Sequence, residues 1–377
     1  MKYIHLPLYL ILILATTACK EKIQDSKEEP TSEFGLVDKN ATPETVALYE
    51  KISTLGEKGI AVGHQDDTSY GLGWKHENMD EVRSDVQLVT GDFPAVFGFD
   101  IGWLEIDKAY NLDTVPFNDM RELIMDAYKR GGIITISWHL NNPETGGSSW
   151  NQSDATSQIL EGGPLRETYV SWVEKVAVFF HSLEVNAIKV PVVFRPYHEM
   201  TGSWFWWGGN NTTFENYKKL WIDTVTLLRD KHNVHNVLYS YSPNKMGPEN
   251  NYLDYYPGDD YVDILGMDIY DFNDSEEFIT STKQHLAALK KIATDKNMPY
   301  AFTETGLESV QTENWYTEVL YPAIKDSGIS WVLTWRNYDT KHHYMPYKGH
   351  LNEQDFINFK NYPDILFLED IKDLTKN

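Results

Sequence analysis

The chain has 377 residues, a net charge of −23 and an aromatic content of 14%. That length suits one large α/β domain or two average ones. Acidity on this scale argues against a nucleic-acid partner, because phosphate binding needs basic patches, and it is compatible with a neutral polymer.

The first residues read MKYIHLPLYLILILATTAC: Lys2, an apolar run from Leu6 to Ala15, then small residues and Cys19. This is the shape of a secretory signal and is too short for a conventional membrane span. It resembles a bacterial lipoprotein signal, with Thr16 in place of the usual Leu. The resemblance implies residues 1–18 as signal peptide, a lipid on Cys19 and a membrane anchor through that lipid. It also implies an exported outer-membrane lipoprotein, facing either the periplasm or the cell surface. Ordinary cleavage near Ala18 is the alternative. Cys19 is the one cysteine of the chain, so no disulfide is expected. Residues 19–41 are polar, charged and poor in large apolar groups, and read as a flexible tether. Residues 42–377 then form a single domain.

From Thr42 onward, β-branched and aromatic runs alternate with amphipathic ones. Strands are expected over 58–65, 94–102, 132–140, 190–199, 236–243, 263–270, 300–306 and 329–337. Helical periodicity fills 117–132, 166–184, 214–232, 276–297 and 314–328, with apolar residues at three- and four-residue spacing. The stretch 243–261, PNKMGPENNYLDYYPGDDY, shows no long helix. Eight strands alternating with helices predict an α/β fold, a (β/α)8 TIM barrel in one domain. GHQDDTSYGLG (63–73) has glycines without the dinucleotide-binding spacing, so a Rossmann fold is disfavoured.

In such a barrel the chemistry sits at the C-terminal ends of the strands. Residues 194–209 read FRPYHEMTGSWFWWGG: Glu199 after an apolar run, then three tryptophans within four positions. Glutamates after strands are most often solvated, and tryptophans most often fill cores. Three indoles so close together before Gly-Gly are harder to bury, and indole faces stack on the C–H faces of sugars. Trp206 and Trp207 read equally well as a sugar-binding wall or as packing beneath one. The seventh strand supplies a second carboxylate, Glu304 in YAFTETG. Strands four and seven lie across a barrel from one another, so the pair can share one cleft as proton donor and nucleophile. Arg195 is placed to keep Glu304 charged, and Tyr270 to hold it by a hydrogen bond.

RPYHEMTGSWFWWGG resembles the acid/base segment of glycoside hydrolase family 26, and FTETG, 105 residues further on, resembles its nucleophile strand. GHQDD (63–67), SWH (137–139) and MDIYDF (267–272) are also similar, and the likeness runs from about 42 to 365. It implies Glu199 as acid/base and Glu304 as nucleophile. Arg195, His198, Asp268 and Tyr270 would support them and the substrate, while His139, Trp150, Trp204 and Trp335 would line the sugar subsites. The substrate implied is β-1,4-mannan, galactomannan, glucomannan or their oligosaccharides, cleaved endo by a monomer without cofactor or metal. Rival expectations are mannobiose-releasing exo action, a β-glucanase or β-1,3-xylanase of the same family, and a non-catalytic glycan-binding lipoprotein. No HExxH or clustered ligand spacing supports a metallohydrolase.

Overall fold

The structure is a computed structural model that describes residues 1–3, 35–247 and 251–374. Cys19, with most of the expected signal and of the tether, lies outside the described residues. No helix among those residues is long and apolar enough to cross a membrane.

Eight parallel strands close into a barrel: β1 (Ile60–Gln65), β2 (Val96–Asp100), β3 (Ile133–Trp138), β4 (Val192–Pro196), β5 (Val237–Tyr241), β6 (Ile264–Asp271), β7 (Tyr300–Leu307) and β8 (Trp331–Thr334). Each pairs with its neighbour in sequence, and Ala61 to His64 of β1 pair with Trp331 to Thr334 of β8 to complete the ring. The eight expected strands are all present. Their β-branched and aromatic residues are buried on both faces, as a parallel sheet under a helical layer requires. A short strand, Ile365–Leu366, adds to the outer edge of β1.

The outer layer is formed by α1 (Pro43–Lys58), α2 (Asp85–Thr90), α3 (Phe117–Lys129), α4 (Arg166–Ser182), α5 (Phe214–Thr226), α6 (Ser275–Lys296) and α7 (Glu353–Lys360), with smaller turns between. Helix α5 is capped by Thr213, whose hydroxyl accepts from Asn216 N, and it continues beyond Thr226 as a π-type segment over Leu227–Lys231. The expected helix at 314–328 is instead a π-type segment, Trp315–Leu320, followed by one α-turn with Pro322 at its start. Between β5 and β6 the described residues hold only a 3-10 turn, Asp259–Tyr261. There the buried rings of Tyr252 and Tyr256 pack edge-on against Tyr241, and Tyr255 packs edge-on against Tyr217 of α5, in place of a helix.

One boundary differs from expectation. The barrel unit starts at Leu36 rather than Thr42. Leu36 and Val37 are buried, Val37 N donates to Asp263 at 2.8 Å, and Asp38 accepts from His235 Nδ1 at 2.7 Å. The end of the supposed tether therefore belongs to the folded domain.

Candidate active site

The register between β6 and β7 slips at one place. Phe302 pairs with Met267 and Glu304 with Asp268, so Thr303 is an extra residue in β7. A bulge of this kind re-aims the side chains around it. Here Thr303 donates to Asp268 Oδ1 at 2.6 Å, and Tyr270 OH donates to Glu304 Oε1 at 2.7 Å. Arg195, near the end of β4, donates through Nη1 to Asp268 Oδ2 at 2.9 Å and through Nη2 to Glu304 Oε2. Burial works against the guanidinium charge, but Asp268 and Glu304 more than offset it, and the pKa of Arg195 is raised. A carboxyl that accepts from a fixed guanidinium on one oxygen and a phenol O–H on the other is held in a single orientation. Glu304 has that setting.

Glu199 lies three residues beyond β4, not within the strand as expected. Its backbone adopts the left-handed conformation (φ 55°), as does Tyr197 two residues earlier (φ 47°). The turn is fixed by Glu199 N donating to Ser242 O at 2.8 Å. Its carboxyl accepts from Trp204 Nε1 at 2.7 Å and from Asn244 Nδ2 at 3.2 Å. Burial pushes the Glu199 pKa well up, and the negative charges of Glu304 and then Asp268 push it further. The negative charge of Glu304 thus acts on Glu199 across the barrel mouth and favours its protonated form, while Glu304 itself is gripped by Arg195 and Tyr270. That separation of roles is what acid–nucleophile pairs require.

A third group lies beside them. His139 Nδ1 is 2.7 Å from the buried carboxylate of Asp100, and its Nε2 is 3.1 Å from His198 Nε2. Burial, then Arg195 and His139, lower the His198 pKa well below the usual value, so it is neutral. Trp150, 49% exposed, stacks on His139 at 5.4 Å and 14°, and Trp335 meets the same imidazole edge-on at 5.8 Å. Trp204 is 37% exposed above Glu199. The cleft therefore has an aromatic rim of Trp150, Trp204 and Trp335 around a polar floor.

The expected residues from β3, β4, β6, β7 and β8 are brought together, with two corrections of role. Asp268, expected to touch substrate, is fully buried and taken up by Arg195, Ser242 and Thr303. It anchors Arg195 from below. Trp206 and Trp207, left open between wall and packing, are both fully buried: Trp207 stacks on Phe205 at 4.5 Å and donates to His198 O. They support the cleft from beneath. Sequence reasoning passed over Asp100, Asn244 and Phe205. Asp100 ends an apolar strand and Asn244 follows one, which is the signal that would have marked them. It also passed over the ion pair of Arg336 with Asp113, which ties the segment after β8 to the loop after β2.

Comparison with known proteins bears on the family and the fold. The family Glycosyl hydrolase family 26 matches residues 37–349, and the chain belongs to that family. It is 32% identical over 353 residues to a mannan endo-1,4-beta-mannosidase of Bifidobacterium adolescentis, covering 85% of this chain and 34% of that protein. With a mannan endo-1,4-beta-mannosidase of Bacillus subtilis it shares 32% identity, over 62% of this chain and 64% of the relative. The chain thus spans between a third and two thirds of the length of these curated relatives. Among solved structures, a GH26 beta-mannanase from Bacteroides ovatus superposes with a TM-score of 0.85 at 41% identity, covering 89% of this chain and 99% of the other. An endo-beta-1,4-mannanase of Cellulomonas fimi gives 0.81 at 35% identity, over 89% and 78% of the two chains.

Proposed function

We propose that this protein is a retaining, endo-acting β-mannanase that hydrolyses β-1,4-mannosidic linkages in mannan, galactomannan or glucomannan. One observation carries the reading: a glutamic acid whose pKa is driven up faces a second glutamate held by Arg195 and Tyr270. In the first step the Glu304 carboxylate attacks the anomeric carbon while Glu199 gives its proton to the departing glycosidic oxygen. A covalent glycosyl ester forms and the leaving chain is freed. In the second step the Glu199 carboxylate takes a proton from water, whose oxygen attacks the same carbon and releases Glu304. The configuration is retained after two inversions. Retention calls for carboxyls roughly 5–5.5 Å apart. The names of the relatives supply the preference for mannan.

The deciding experiment is reducing-sugar release from β-mannan by the wild type and by Glu304→Ala. The wild type is expected to release sugar and the variant to lose at least about 10³-fold in rate. Equal, negligible release from both would favour a glycan-binding protein instead. Products from mannan, glucomannan, lichenan and β-1,3-xylan fix the substrate. A ladder of oligosaccharides indicates endo action. Mannobiose alone from the outset would indicate exo action instead.

We further propose that the mature chain carries a lipid on Cys19, is held at the bacterial outer membrane and acts as a monomer. The signal-shaped sequence ending at Cys19 supports the anchor. Mass spectrometry of the membrane-extracted protein should show a diacylglyceryl-modified Cys19, and Cys19→Ala should move the protein to the soluble fraction. An unmodified Cys19, or membrane retention of the variant, would defeat the anchor.

A further inference from the structure

The loop that follows Glu199 has a second face. Residues 200–213 fold back on themselves: Gly209 N donates to Met200 O at 2.8 Å, and Asn211 Nδ2 donates to Ser203 O and Phe205 O at 3.0 and 2.8 Å. One flank of this loop carries Trp204 over Glu199. The other flank borders a depression of about 560 Å³ lined by Ser203, Asn210, Thr212, Thr213, Phe214 and Tyr255.

Its chemistry is unlike that of the surrounding surface. In a chain where 24% of residues are charged, no charged side chain lines it. Hydroxyl and amide groups do, together with a phenyl ring. Phe214 is 42% exposed and is held edge-on by Tyr255 at 4.6 Å and 78°, while Tyr255 OH donates to Gly209 O. The ring is thus a fixed apolar face open to solvent. The Thr212 hydroxyl is buried without a hydrogen-bond partner among the described residues. Neutral hydrogen-bonding groups beside a rigid ring are what a hexopyranose needs, with its hydroxyl rim and apolar C–H faces.

Position decides which sugar. Glu199 protonates the oxygen that leaves, so the departing chain begins beside Glu199 and Trp204. Ser203, the residue directly before Trp204, lines the depression. The geometry points to this depression as a distal subsite for a neutral hexopyranose of the departing chain, beyond the unit that meets Trp204. The inference rests on the mannanase reading and adds to it a place where chain length is recognised.

The test uses β-1,4-manno-oligosaccharides of increasing length, fluorescently labelled at the reducing end, with the wild type, the double variant Asn210→Ala/Phe214→Ala and the near-isosteric Thr212→Val. The ratio of kcat/KM on mannohexaose to that on mannotriose should fall about tenfold in the double variant, the scale of one lost ring contact with its hydrogen bonds. The labelled fragments should shorten, because the substrate slides to leave fewer units on the departing side. Thr212→Val, which keeps the side-chain volume, should move both readings in the same direction and serves if the double variant does not fold. Unchanged length dependence and unchanged fragments would overturn the subsite. So would weaker binding to insoluble mannan with no change in fragments, since that describes a detached surface site. A wild type inactive on every mannan defeats the mannanase reading and the subsite together, and that outcome is visible before any variant is made.

Discussion

A side chain that must give up a proton in one step and take one back in the next has to sit near the midpoint of its own titration. For Glu199, burial and the charge of Glu304 push its pKa up, while the N–H of Trp204 favours the ionised form and pulls it down. The protonated form is the donor, so kcat/KM should fall as pH rises through the Glu199 pKa. Trp204→Phe removes the downward pull, so the alkaline limb of the pH–rate profile should move to higher pH. A limb that stays put or moves down would show that the indole does not act on the acid. In Glu199→Ala the rate on mannan should drop by about 10²–10⁴-fold, the usual worth of a positioned acid. Aryl mannosides with an acidic phenol leaving group should lose far less in the first step. Added azide, which needs no general base, should restore turnover as the glycosyl azide. Failure of azide to do so would argue against Glu199 as acid/base. Both glutamates were legible in the sequence because each follows an apolar, strand-like run, Glu199 just ahead of a dense tryptophan cluster and Glu304 on the strand that lies across the barrel from it. Asp268 was misjudged because its role depends on Arg195 reaching back beneath the site from a different strand.

At the scale of elements, the barrel was readable because a parallel strand covered on both faces becomes a dense β-branched run. Two features were not. The bulge at Thr303 leaves no mark in YAFTETG, since it is set by pairing with β6. The true start of the domain was hidden because Leu36 and Val37 are two apolar residues in a polar stretch. Their burial depends on Asp263, 226 residues away from Val37. Burial pushes the Asp263 pKa up to about 7, although Tyr239 N and Val37 N both donate to its carboxyl. Leu36→Ala should therefore lower the unfolding free energy by about 2 kcal/mol or more, as for other buried leucines. Urea denaturation would measure it. A loss under about 0.5 kcal/mol, the range of ordinary surface substitutions, would return this segment to the tether.

Taken as a whole, the molecule holds its shape without covalent cross-links. With a single cysteine in 377 residues, no bridge within one chain is possible, so its melting temperature should be the same with and without a strong reductant. A difference would point to pairing between copies through Cys19. Stability rests instead on burial, and against it stands the backbone at the acid. Glutamate in the left-handed region is held there at a cost of about 1–3 kcal/mol, by a turn that glycine or asparagine would occupy more easily. Putting glycine in its place should therefore firm the fold while taking away the proposed proton donor, so ruggedness and turnover would be traded against each other at a single residue.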